Sequence, residues 1–68
     1  MSVQVIVNGE TRDLPSGITA AGLIESLGLT GKRLALELNG EIVPKSAHER
    51  TGFRKGDRVE IVHAVGGG

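Results

Sequence analysis

Cysteine is absent from this 68-residue chain, and that absence excludes several kinds of chemistry. Without a thiol the protein has no disulfide bond, no thiolate nucleophile, no persulfide of its own and no soft metal site. Histidine is scarce too, since His48 and His63 are the only two imidazoles and lie too far apart in sequence to form a ligand pair on one helix. A metal site needs several convergent ligands. The sequence therefore predicts no bound metal and two histidines that are at the surface or half-buried.

Aromatic residues and an excess of charge are also missing. Phe53 is the single aromatic residue, so the core has to be built from Val, Ile and Leu. Eight basic residues balance eight acidic ones, and no basic block with interleaved aromatics is present, which argues against nucleic acid binding. The first residues show neither the cationic start nor the apolar segment of a signal peptide. We therefore expect no membrane attachment and a cytoplasmic protein.

The length allows one small domain, whose apolar burial only just outweighs the loss of chain entropy. A fold with so small a margin has no room for an internal catalytic cleft. No internal repeat, linker or second domain is visible in the sequence.

Apolar periodicity predicts five strands and one helix. Alternation of apolar and polar residues indicates strands at 3–7, 11–14, 33–38, 41–43 and 59–65. The helix is expected at 20–27, with Thr19 as N-cap and Gly28 as the stop signal. Pro44 cannot donate to a ladder, so the short fourth strand should lie at an edge of the sheet. Residues 45–53 have an irregular polar pattern that suits a loop with one short helical turn.

Two Asn-Gly pairs, Asn8-Gly9 and Asn39-Gly40, follow strands and are strong hairpin turn signals because Asn and Gly tolerate positive φ. Turn chemistry explains both pairs without a shared ligand. Glu25, Glu37 and Glu60 fall at outward positions of their elements, and we interpret them as solvated surface charges rather than catalytic carboxylates.

The chain ends in Gly66, Gly67 and Gly68 directly after a strand-like run. Glycine lacks Cβ and passes through clefts too narrow for a side chain. Residues 64–68 in extended form span about 17 Å, which is enough to present a terminal carboxylate deep inside a partner while the folded body docks outside. A frayed end is the alternative, since termini are commonly disordered.

Two aliphatic side chains are predicted to face outward. If Val59 and Ile61 point into the core, Val62 points away from it, and Ile6 of the first strand does the same. This exposed pair beside the glycine tail is either a docking patch or ordinary surface apolar area.

Three segments together resemble one known family: residues 5–10, residues 35–44, and residues 56–62 with the ending 65–68. Over essentially its whole length the chain resembles a ThiS-type sulfur carrier of the ubiquitin-like ThiS and MoaD group. The resemblance implies an α+β fold of the β-grasp type, with a mixed sheet of four to five strands, one helix across it and the last strand central. It also implies a β-grasp domain at 1–65 and a flexible glycine tail at 66–68.

The same resemblance implies a function as a protein co-substrate rather than an enzyme. The Gly68 carboxylate is expected to be adenylated with ATP by a ThiF-type activating enzyme, and a persulfide donor then supplies sulfur to form a thiocarboxylate. A ThiG-type thiazole synthase would take that sulfur for thiamin biosynthesis. Gly66 and Gly67 are expected to thread into the partner. The expected docking residues are Ile6, Val62, His63, Ala64 and Val65. No cofactor is expected on the carrier itself, because the partner enzyme uses the ATP.

One departure from the family pattern is Ala21-Gly22 at the start of the helix, where relatives often have an acidic residue followed by Leu. Three alternatives stay open from sequence. The first is a molybdopterin synthase carrier with the same chemistry, although the compact chain and its Val-Gly-Gly-Gly ending favour thiamin. The second is a ubiquitin-like modifier or sulfur donor for tRNA thiolation. The third is an interaction module whose glycines have no chemistry.

Overall fold

A computed structural model describes residues 1–63 of the chain. The elements in chain order are β1 (Ser2–Val7), β2 (Glu10–Pro15), α1 (Ala20–Ser26), β3 (Leu34–Leu38), β4 (Glu41–Val43), a 3₁₀ helix (Lys45–Arg50) and β5 (Arg58–His63). This order confirms the predicted one, and the expected short helical turn is the 3₁₀ helix. Ala64 and Val65, which the sequence prediction assigned to the last strand, lie outside the described residues, as does the predicted boundary between domain and tail.

The five strands form one mixed sheet in the order β2-β1-β5-β3-β4. β1 is antiparallel to β2 and parallel to β5, while β3 is antiparallel to both β4 and β5. The last strand is therefore central, as the family resemblance implies. β4 is an edge strand, as Pro44 predicts.

The core lies between one face of the sheet and α1. Strand alternation places Val5, Leu36 and Val59 on that face, and each is almost wholly buried. Leu23 covers them from the helix and is fully buried. The remaining buried apolar residues are Val7, Leu14, Ala20, Ile24 and Ile61. The aliphatic core predicted from the shortage of aromatics is confirmed, with Phe53 packed at its margin.

Helix α1 begins and ends at the predicted signals. Thr19 is the N-cap, and its hydroxyl oxygen accepts a hydrogen bond from the Gly22 N–H at 3.2 Å. At the other end Gly28 has a φ of +72°, and the N–H groups of Gly28 and Leu29 donate to the carbonyls of Glu25 and Ile24 at 3.0 Å. This is the Schellman arrangement that satisfies the last carbonyls of a helix. No helix within residues 1–63 has the length and apolar character needed to cross a membrane.

Packing leaves little room for a side chain at Gly22. A Cβ at this position would lie 2.9 Å from Cγ1 of Ile18, which is closer than carbon atoms approach without one of them shifting. The unusual Ala21-Gly22 pair thus coincides with a close approach of the preceding loop to the first turn of α1.

His48 corrects a sequence expectation. It is buried rather than half-buried or exposed, and its Nε2 donates to the carbonyl oxygen of Val43 at 3.0 Å. The 3₁₀ helix turns the imidazole back against β4, where that carbonyl offers a partner for a buried polar group. His63 at the end of β5 is exposed, as expected.

Candidate functional site

The candidate site begins with the way β5 is held, because this strand leads into the C-terminal segment. Asn8, with a φ of +49°, forms the first turn with Gly9. Its backbone N–H donates to the carbonyl of Val59 at 2.8 Å, and its side-chain oxygen accepts from the N–H of Ile61 at 2.8 Å. The side-chain oxygen thus takes the place that the backbone carbonyl of Asn8 would have in a continued parallel ladder.

The second Asn-Gly turn holds the opposite edge of β5 in a similar way. The Asn39 N–H donates to the carbonyl of Arg58 at 2.7 Å, and the Asn39 side-chain oxygen accepts from the Arg58 N–H at 2.9 Å. Asp57 completes the arrangement, because its carboxylate accepts from the Asn39 amide at 3.0 Å and from the Arg54 N–H at 2.8 Å. Both predicted turns are confirmed, and each also fixes the central strand.

β5 continues past the end of β1. Its pairing with β1 covers Arg58 and Val59, whereas its pairing with β3 continues to His63 opposite Leu34. The last part of the described strand is therefore anchored by β3 and by the single Asn8 bond. This places His63, the last residue of β5, at one end of the sheet.

The sheet surface on the far side from α1 is called the open face here. Strand alternation and register give its members. They are Ser2, Gln4, Ile6, Thr11, Asp13, Pro15, Ala35, Glu37, Ile42, Arg58, Glu60 and Val62.

The predicted docking residues divide between the two sides of the sheet. Ile6 and Val62 both lie on the open face, with Ile6 half-buried and Val62 52% exposed. The register sets Ile6 beside Arg58, four residues before Val62 on β5, so the two aliphatic side chains are about 13 Å apart along the strand. His63 belongs to the opposite side of β5 and is exposed. The other predicted site residues, Ala64, Val65, Gly66, Gly67 and Gly68, lie outside the described residues.

Ile42 is an exposed apolar residue that sequence reasoning did not single out. Its side chain is 67% exposed, and it lies opposite Glu37 on the open face. The signal was present, because alternation within β4 places Val43 inward and Ile42 outward. Its lateral neighbours became known only from the register of the sheet.

Two carboxylates stand side by side in the middle of the open face. Glu37 of β3 is half-buried, Glu60 of β5 is exposed, and the two are direct cross-strand partners. Within residues 1–63 the one ion pair closer than 4 Å joins Arg12 and Glu10 at 3.6 Å. Neither Glu37 nor Glu60 is therefore neutralised by a close cation in the part of the chain that the structure describes.

A groove lies between the C-terminal end of α1, β4 and the 3₁₀ helix, and Ala35 and Ile42 also line it. Its lining includes the apolar residues Ile24 and Leu34 and the charged residues Glu25, Lys32 and Lys45. Among the described residues no group of three or more acidic or histidine side chains is placed to hold a metal ion. The groove is an open surface feature and gathers no catalytic set of side chains.

Known proteins are similar to this chain in sequence and in fold. The ThiS family model matches residues 5–68. The crystal structure of a thiamine biosynthesis protein (ThiS) from Geobacter metallireducens superposes with a TM-score of 0.79 at 28% identity, covering 97% of this chain and all of that one.

Two kinds of curated relative match as well. A thiazole synthase from Paramagnetospirillum magneticum is 38% identical over 66 residues, and one from Magnetococcus marinus is 30% identical over 66 residues. This chain spans only 20% of the length of each of these two. An uncharacterized protein ycf40 from Porphyra purpurea is 28% identical over 67 residues, which is 94% of its length.

A mixed five-stranded sheet with a central last strand and one helix packed across it defines a ubiquitin-like β-grasp protein, and the structural match confirms that fold class. Within that class the family match extends through the glycine-rich ending. The chain belongs to the ThiS family, which confirms the resemblance found in the sequence.

Proposed function

We propose that the protein is a sulfur carrier of thiamin biosynthesis, acting as a co-substrate and not as a catalyst. The observation that carries the proposal is the ThiS family match over residues 5–68, which includes Gly66, Gly67 and Gly68. The fold supports it, because β5 is central, is held on both edges and leads towards those glycines. The reactive group in this proposal is the carboxylate of Gly68.

The proposed chemistry has three steps. A carboxylate is a poor electrophile, so an activating enzyme of the ThiF type joins it to the α-phosphate of ATP and releases pyrophosphate. The acyl adenylate has AMP as a good leaving group, and the terminal sulfur of a protein persulfide displaces it. Reductive cleavage of the resulting acyl disulfide by a thiol leaves the thiocarboxylate on Gly68 and a disulfide on the donor side. The absence of cysteine fits this chemistry, since no internal thiol competes for the activated acyl group.

The proposed acceptor of the sulfur is a thiazole synthase of the ThiG type. Support comes from the relatives named thiazole synthase, in which a segment similar to this chain forms one fifth of the protein. Two domains that act together, one supplying what the other consumes, are often fused in one polypeptide. No observation specifically favours molybdopterin synthesis, protein modification or tRNA thiolation.

The test is an intact-mass measurement on the full chain ending at Gly68. Incubation with ATP, the activating enzyme, a persulfide donor and a thiol reductant is expected to raise the mass by the difference between one sulfur and one oxygen atom. Omission of ATP is the control and should leave the mass unchanged. No mass increase, under conditions that convert a known ThiS carrier, would refute the proposal.

A further inference from the structure

We propose that Glu37 and Glu60, bordered by Ile42 and Val62, form the contact surface for the thiazole synthase, and that the contacting surface of that enzyme presents an arginine or lysine between apolar side chains. The inference rests on the proposed function and names the part of the fold that recognises the acceptor. It concerns residues that the sequence alone indicated to be ordinary solvated charges.

The arrangement is a short row across three strands. Ile42 of β4 lies opposite Glu37 of β3, and Glu37 lies opposite Glu60 of β5. Adjacent strands are about 4.8 Å apart, so the row covers about 10 Å. Val62 follows Glu60 on the same face and stands opposite the small side chain of Ala35. The two carboxylates are thus bordered by the exposed aliphatic side chains of Ile42 and Val62.

Like charges directly opposite each other on neighbouring strands destabilise a sheet. Glu37 is also half-buried, which reduces the access of water that would otherwise screen the repulsion. No close cation among residues 1–63 compensates. A feature that opposes folding and lies outside the core is typical of a functional site. A cation supplied by a partner would sit between the two carboxylates and relieve their repulsion in the complex alone.

The distribution of charge over the molecule favours the same partner. The open face carries three carboxylates, Asp13, Glu37 and Glu60, against one guanidinium, Arg58, which gives it a formal charge of −2. The whole chain has a formal net charge of zero, so the rest of the molecule carries +2. This asymmetry orients the open face towards a basic surface during encounter and raises the association rate.

The position of the row also suits delivery of the tail. Glu60 and Val62 belong to β5, which ends at His63, directly before residues 64–68 in the sequence. Those five residues span about 17 Å when extended. A partner that binds the open face at the end of β5 thus has its own active site within reach of Gly68.

The experiment measures the affinity of the full chain for the purified thiazole synthase encoded in the same genome, at low and at moderate salt. The variant is Glu37→Gln with Glu60→Gln. The matched control is Glu25→Gln with Glu49→Gln, because these two exposed carboxylates lie beside the groove on the helix side and their loss changes the net charge equally. We expect the first variant to bind about 10-fold more weakly and with a reduced dependence on salt. The control should keep the wild-type affinity.

Three further outcomes would separate a failure of this inference from a failure of the proposed function. If the wild-type chain neither forms the thiocarboxylate nor binds the synthase, the proposed function itself fails. If the wild-type chain binds but the Glu37, Glu60 variant binds equally well, this inference is wrong and the proposed function stands. If the variant loses thiocarboxylate formation to the same extent as synthase binding, the face serves the activating enzyme, which overturns its assignment to the synthase. Thermal unfolding guards against a folding artefact, because removing the repulsion should raise the melting temperature of this variant.

Discussion

The side-chain oxygen of Asn8 accepts a 2.8 Å hydrogen bond from the backbone N–H of Ile61, a residue 53 positions further along the chain. The bond links the first turn of the protein to the last strand. It lies where β1 turns away from β5, and it adds one hydrogen bond to those that join the two strands. The first prediction concerns this bond.

Substitutions of Asn8 should separate its role as a turn residue with positive φ from its role as the hydrogen-bond acceptor for the Ile61 N–H. Asn8→Gly tolerates the positive φ but leaves the part-buried Ile61 N–H without its acceptor, at a cost of about 1–3 kcal/mol in the free energy of unfolding. Asn8→Ala should cost about 1 kcal/mol more, because an Ala at a φ of +49° is strained. Asn8→Asp keeps an acceptor oxygen and should stay near the wild type. Urea unfolding measures all three, and an Asn8→Gly variant as stable as the wild type would contradict this role.

Gly22 gives a prediction that opposes simple helix propensity. Gly→Ala in a helix ordinarily gains about 1 kcal/mol. Here the new Cβ would meet Ile18 Cγ1 at 2.9 Å, so we expect Gly22→Ala to leave the free energy of unfolding unchanged or lower. In an Ile18→Ala background the obstructing atom is gone, and the same substitution should recover the gain of about 1 kcal/mol. Chemical denaturation of the four proteins in this cycle provides the measurement. A full gain in the wild-type background would show that Ile18 moves aside freely.

The carboxylate pair predicts a surface substitution that stabilises the protein. Glu37→Gln removes the repulsion from Glu60 and should raise the free energy of unfolding by about 0.2–1 kcal/mol. In a Glu60→Gln background the same change should add almost nothing, since the repulsion is already absent. Glu25→Gln on α1 serves as the reference substitution. Equal effects of Glu37→Gln in both backgrounds would mean that the two side chains do not interact.

Removal of Gly67 and Gly68 should abolish sulfur loading while leaving the folded domain intact. The buried apolar core of residues 1–63 is built from residues between Val5 and Ile61, so the deletion removes none of these core side chains. We expect no increase in intact mass in the loading assay and an unfolding transition of unchanged midpoint and cooperativity. Destabilisation by the truncation would mean that the tail contributes to the fold.

Much of the fold was predictable because the local sequence signals for strands, turns and helix ends match the elements that the folded sheet contains. Alternation identified the strands that carry the core residues Val5, Leu36 and Val59, and the Asn-Gly pairs located two turns. The helix ends followed from Thr19 and Gly28, whose side chain and backbone freedom satisfy the end groups of the helix. In each case the signal is contained in a few neighbouring residues.

Other features depend on partners that are distant in sequence, so local rules could not reveal them. The turn signal of Asn8 contains no information that its side chain also caps β5. His48 shows no periodicity, and its burial depends on the 3₁₀ helix folding back on Val43. Glu37 and Glu60 each have an ordinary outward position, and their juxtaposition follows only from the register of β3 with β5. The predicted roles of residues 64–68 lie outside the described part of the chain and stay predictions.

The central position of β5 has a mechanical consequence. A force applied along the strand from its C-terminal end loads the hydrogen bonds to its neighbours together, in shear, because these bonds lie across the direction of pull. Bonds loaded together resist far more than bonds opened one after another from an edge. The folded body can therefore resist a pull on its C-terminal end, as the proposed insertion of that end into a partner enzyme would require.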